Sequence, residues 1–239
     1  VKEKSTYRVI RDGNPQENTS QISHGIMVEV LIDGQFGYYA TNDLSVRAIQ
    51  NAAFQAKEQA QQAAKYSIFK FSEEARPKSV GSYNSSYLES EDSLSAGELN
   101  EILLAGCNAL KVSDEIVSAS AYGIITSTEF NFVSTNGSDI SQKFLMITSD
   151  YSATANQGNI FQRRTGGRSG HQIGLEIFNK DNIVDSCITI GEQAIELLNA
   201  DECPTGKMDL VLAPDQMMLQ IHESIGHALE IDRILGDER

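Results

Sequence analysis

The sequence predicts an α+β fold: a mostly antiparallel sheet with packed helices, ending in a helix that carries a metal-ligand pattern. Three observations predict it. Strand-like and helix-like segments come in blocks rather than in strict alternation. Asp33-Gly34 and Asn136-Gly137, dipeptides suited to tight hairpins, lie between runs of apolar and β-branched residues. Segments 44–65 and 96–111 repeat apolar residues at helical spacing.

Each element follows in order. Residues 7–11 read as a strand ended by Asp12-Gly13. Residues 25–40 read as a hairpin. Ile26, Val28, Val30 and Ile32 alternate with Met27, Glu29, Leu31 and Asp33, and Phe36-Gly-Tyr-Tyr returns after the turn. Thr41-Asn42-Asp43 stops the sheet and offers a cap to the helix 44–65. There Ile49, Ala53, Ala56, Ala60 and Ala63 form a narrow seam, which predicts close packing. Residues 67–94 are polar, rich in Ser and Glu, and read as a long loop. Ser95-Ala-Gly-Glu98 is a capping box that opens the helix 96–111, with Ile102, Leu103, Gly106 and Leu110 as its apolar face.

Beyond residue 115 the period returns to that of strands. Residues 128–133 and 140–148 flank Asn136-Gly137, and 151–161 extends the sheet. Residues 163–174 hold Arg163, Arg164, Arg168 and several glycines. They read as a loop that binds an anion or a peptide carboxylate or as a flexible connector; their spacing is not that of a phosphate loop or a dinucleotide fold, which favours the connector. A third helix is expected at 183–199, a turn at Pro204-Thr-Gly206, and a short apolar strand at 208–212. Pro214 suits the first turn of the last helix.

Composition limits the function. Nineteen Lys and Arg against 33 Asp and Glu leave a net charge of −14. That argues against a nucleic-acid binder, which needs basic side chains to displace phosphate counterions, and against docking on an anionic membrane. Hydrophobic content of 40% is that of a globular protein rather than a disordered one. No apolar run approaches the roughly 18 residues of a membrane span, and the first residues hold no apolar signal core. Cys107, Cys187 and Cys203 are odd in number and irregularly spaced, which fits a reducing cytoplasm. The chain begins at Val1 and ends in the charged run Gly236-Asp-Glu-Arg, which predicts a piece of a longer protein. It reads as one domain over 1–239, with a subdivision into 1–112 and 113–239 as an option.

Chemistry concentrates in the last helix. Of four histidines, His222 and His227 lie there beside Glu223, in an otherwise apolar stretch. The familiar zinc-protease string spaces its histidines four apart, on one helix face. Here they are five apart, which on a regular α-helix points them roughly 140° from each other. Both meet one metal only if the helix is distorted, and a π-bulge absorbs one extra residue. Gly226 would tolerate it. A straight α-helix would leave only a Glu223–His227 side-chain pair and a core histidine at His222. Under the metal reading the imidazoles of His222 and His227 bind Zn²⁺, and Glu223 takes a proton from the activated water. Cys203, Glu230 and Asp232 are open as third ligands, as is a residue beyond Arg239.

The string Ile221-His-Glu-Ser-Ile-Gly-His-Ala-Leu-Glu-Ile-Asp232 resembles the metal motif of the TldD/PmbA family, also called modulator of DNA gyrase. Residues 25–45 resemble its strand–turn–strand and helix start, and 204–214 its strand before the metal helix. The resemblance implies a cytoplasmic, dimeric metalloprotease, a hydrolase that cleaves short or unfolded peptides in an enclosed chamber. It implies His222 and His227 as zinc ligands, Glu223 as general base, and a cysteine of the C-terminal half as third ligand. This chain then corresponds to the N-terminal domain, the C-terminal domain being absent. The implied partners are peptide substrate and either a second copy or a PmbA/TldE-like subunit, with no nucleic acid and no membrane. The alternative is a non-catalytic, PmbA/TldE-like binding or assembly subunit of the same fold that holds no metal.

Overall fold

The computed structural model describes residues 1–166 and 169–236. Its elements are β1 (Lys2–Arg11), β2 (Asn14–His24), β3 (Ile26–Ile32), β4 (Gln35–Thr41), α1 (Val46–Ala63), β5 (Val80–Asn84), α2 (Ala96–Ala109), β6 (Ile116–Val133), β7 (Asp139–Gln157), β8 (Ile160–Thr165), β9 (Ser169–His171), α3 (Lys180–Glu196), α4 (Pro214–Ile221) and α5 (Ile231–Leu235). Helices and a mostly antiparallel sheet coexist, as the blocks of periodicity require. No helix among the described residues is long and apolar enough to cross a membrane.

The chain divides into two compact units, Val1–His24 with Ser79–Cys203, and Gly25–Lys78 with Pro204–Arg239. Neither is continuous in sequence. The cause is β1, which pairs along its whole length with β6 (Lys2 opposite Glu129, Arg11 opposite Ser120) and so ties the N-terminal hairpin to a distant strand.

The first unit is a seven-stranded sheet of order β2-β1-β6-β7-β5, with β8 and β9 also against β7. All pairs are antiparallel except β5 with β7. The α2 helix opens on the expected capping box, Ser95 accepting from Glu98 N–H and Glu98 from Ser95 N–H. It buries Leu99, Ile102, Leu103, Gly106 and Cys107. A Cβ on Gly106 would press on Ile183, Cys187 and Tyr151, so this glycine lets α2 approach α3 and the sheet closely. Burial pushes the Cys187 thiol up to about 12, the nearby Cys107 adding to the effect, so the pair packs as small apolar groups.

Two strands here are not expected. β2 begins Asn-Pro and is exposed throughout, so it shows no apolar alternation. β5 lies inside the presumed loop, five exposed residues held by backbone pairing. The basic stretch is also corrected: Arg163 and Arg164 lie on β8, donating to Ser152 Oγ and Gln193 Oε1, and β9 follows. Gly167 and Arg168 lie outside the described residues.

In the second unit the hairpin β3–β4 packs against α1. The buried seam is Ala52, Ala56 and Ala60, whereas Ala53 and Ala63 are exposed. Gly37 faces that seam, and a Cβ there would collide with the Ala56 carbonyl. Phe36, Phe69 and Phe71 cluster at centroid distances of 5.4 and 5.0 Å. Arg76 lies over Phe36 and forms a 2.8 Å ion pair with Glu29. Residues 208–212 form no strand and are exposed, since a strand exists only where another strand pairs with it.

Candidate metal centre

The site lies on the segment after Pro204. Pro214 occupies the first turn of α4, where its missing N–H costs nothing, and Asp215 follows beside the positive end of the helix. The backbone then widens. Residues His222–Gly226 form a π turn in which His227 N–H donates to the His222 carbonyl, five residues back. A 3₁₀ turn, His227–Leu229, comes next. Glu230, at φ −60° and ψ 128°, breaks the helix before α5. A distortion of the kind that a shared metal would require is therefore present between the two histidines.

The π turn brings both imidazoles to one side. Their centroids are 4.5 Å apart, with planes at 82°. His222 Nε2 lies 3.9 Å from Glu223 Oε1, and His227 Nε2 lies 4.0 Å from Glu223 Oε2. One donor atom from each of these three residues falls within 4.8 Å of the others. Among the described residues no other group of three His, Cys, Asp or Glu converges in this way. The site is open, His222 and Glu223 side chains being 60% exposed.

Two neutral imidazoles converging beside a carboxylate suit a borderline divalent ion such as zinc, so the donor set fits the metal that the sequence suggests. The three residues cannot by themselves close a catalytic site if Glu223 stays free as a base, because such a site needs three protein ligands.

The other candidate ligands are not members of this group. Cys203 is exposed and is not among the converging donors. Asp232 Oδ1 accepts from the Arg233 N–H. Glu230 is engaged on both oxygens, Oε1 at 2.7 Å from His227 Nδ1 and Oε2 at 2.8 Å from Arg233 Nε. His227, Glu230 and Arg233 follow at three-residue steps, but their contact depends on the non-helical backbone at Glu230, which the spacing alone does not predict.

Comparison with known proteins decides the family. A family model described as PmbA/TldA metallopeptidase domain 1 matches residues 1–60, and one described as the PmbA/TldA metallopeptidase central domain matches residues 89–201. This chain belongs to the PmbA/TldD family. Both models stop short of the segment that carries His222. Full-length comparison reaches it: a metalloprotease of Methanothermobacter thermautotrophicus is 26% identical, over 96% of this PmbA/TldD chain and 49% of the relative. A metalloprotease of Methanocaldococcus jannaschii is 24% identical, over 96% and 50%. The chain thus spans about half the length of the curated relatives it matches.

Solved structures show the same fold. One from Thermotoga maritima, described as a modulator of a DNA gyrase, has a TM-score of 0.65 at 16% identity and covers 86% of this chain and 45% of its own. TldE from Thermococcus kodakarensis has a TM-score of 0.51 at 13% identity, over 83% and 44%. The family description and the relatives' names are those of metallopeptidases.

Proposed function

We propose that this chain is the N-terminal part of a TldD-type zinc metallopeptidase subunit of the cytoplasm that hydrolyses short or unfolded peptides. The observation that carries the reading is the π turn, which turns two histidines five apart toward a shared carboxylate. His222 and His227 would hold the ion through ring nitrogens. A bound Zn²⁺ supplies Lewis acidity that makes water nucleophilic near neutral pH. Glu223 does the proton work. Its carboxylate takes a proton from the attacking water as the C–O bond forms at the scissile carbonyl, then delivers that proton to the leaving amine as the C–N bond breaks. A third ligand comes from the C-terminal half of the protein. The assembly partner is a second copy or a PmbA/TldE-like subunit.

Metal content and peptide hydrolysis of the full-length protein, with and without Glu223→Gln, test this. Loss of general-base catalysis lowers kcat by about 10²- to 10⁴-fold, with zinc retained. Undiminished hydrolysis in the variant removes Glu223 from the mechanism. A wild-type protein with neither zinc nor hydrolysis supports the non-catalytic subunit instead.

A further inference from the structure

We infer that Glu230 is a positioning residue that fixes the ring of His227, and that Arg233 in turn holds Glu230. The inference rests on the metal reading above for its purpose, and on side-chain geometry for its content. Glu230 Oε1 is 2.7 Å from His227 Nδ1, the length of a charge-assisted hydrogen bond. The other oxygen pairs with Arg233 Nε at 2.8 Å. A carboxylate paired with guanidinium only accepts, so Nδ1 must be the donor. The neutral ring then carries its proton on Nδ1 and its lone pair on Nε2. Nε2 is the atom that lies 4.0 Å from Glu223 Oε2, on the residue that converges with His222 and Glu223.

The backbone explains why Glu230 can do this. The 3₁₀ turn brings residues three apart together, and Glu230, at the break that follows, reaches the Nδ1 edge of His227 with Oε1. With both oxygens engaged, Glu230 acts through His227 rather than as a ligand itself. Carboxylates in this position orient the ring and raise the basicity of the ligating nitrogen, and their loss typically weakens metal binding about 10- to 100-fold.

The test has two readouts on the full chain. The first uses metal-free protein labelled with ¹⁵N-histidine, at about pH 9 where imidazole is neutral, with His227→Gln to assign the signal. A pyrrole-type Nδ1 and a pyridine-type Nε2 are expected in wild type, shifting toward the opposite tautomer in Glu230→Ala. Glu230→Gln, which keeps an acceptor oxygen, retains the wild-type pattern. The second readout is zinc affinity by competition with a chelating dye, expected to fall about 10- to 100-fold in Glu230→Ala and less in Glu230→Gln. A wild-type ring protonated on Nε2, or a tautomer unmoved by Glu230→Ala, overturns the inference. So does a Glu230→Ala protein that loses zinc as completely as His227→Ala with its tautomer unchanged, which would make Glu230 a ligand. Failure of the peptidase reading is seen separately, in the zinc content and hydrolysis of wild type, and leaves the tautomer result standing.

Discussion

In the sheet unit Ile10, Leu103, Leu110, Ile147 and Leu175 are fully buried, whereas on the segment that carries the site Leu210, Val211 and Met218 are 78%, 94% and 69% exposed. The α4 helix, the π turn and α5 bury no residue at all. Two different sources of order are at work. The sheet unit owes its shape to apolar area removed from water, gathered from strands far apart in sequence. The site owes its shape to short-range hydrogen bonds: His227 N–H to the His222 carbonyl, and the His227–Glu230–Arg233 chain. Deleting apolar atoms should therefore damage the first region and spare the second, while changing donors and acceptors should do the reverse.

The largest expected effect breaks or upholds that contrast directly. Leu103 on α2 is fully buried, and Leu103→Ala should cost about 2–5 kcal/mol, since the cavity left behind adds to the lost transfer energy. In the 239-residue chain, where Met218 is exposed, Met218→Ser on α4 should stay within about 0.5 kcal/mol. Chemical denaturation of both variants measures the difference. Equal losses would mean that Met218 is buried in solution and that the contrast is mistaken.

A second effect sharpens the contrast from inside the sheet unit, where one polar contact behaves like those of the site. Glu176 accepts from the backbone N–H of Leu88 at 3.1 Å and of Glu89 at 3.0 Å. Partial desolvation raises its carboxyl. The backbone donors at Glu89, Glu176, Leu88 and Gly174 together outweigh that and bring it down to about 2, from an ordinary 4.5. The folded value lies below the unfolded one, so the contact stabilises the fold above the ordinary value and is lost as pH falls from 4.5 toward about 2. Amide NMR shifts of Leu88 and Glu89 should move through that window, and Glu176→Gln should abolish the movement. Shifts that persist in the variant would assign them to another group.

The hairpin at Asp33-Gly34, the capping box at Ser95 and the apolar face of α2 were readable because local chemistry and tertiary packing agree there. β2 was not, because a polar, exposed strand is specified by its partner β1 and not by its own pattern. β5 escaped for the same reason, its pairing to β7 being invisible in five polar-flanked residues. Residues 208–212 show the converse: an apolar, β-prone run is a strand only once a neighbour supplies the ladder. At the site the spacing of His222 and His227 called for a widened helix only under the metal reading, and the backbone there is widened. The clasp on His227 needed the break at Glu230, which no propensity announces.

The smallest expected effect concerns Gly226, whose conformational freedom offered an explanation for the π turn. Its backbone lies at φ −57° and ψ −57°, ordinary right-handed helix that any residue adopts. A Cβ there would come no closer than 3.9 Å to the Ile221 carbonyl, a normal contact. The freedom of glycine is thus unused, and the distortion is carried by the displaced hydrogen bond from His227 to His222. Gly226→Ala should leave zinc affinity within about twofold and raise stability by at most about 1 kcal/mol, the ordinary helical preference for alanine. Calorimetry with a zinc titration reads both quantities. A tenfold loss of affinity with unchanged stability would show that the turn must move through a conformation open only to glycine, and would make the site a hinge rather than a rigid clasp.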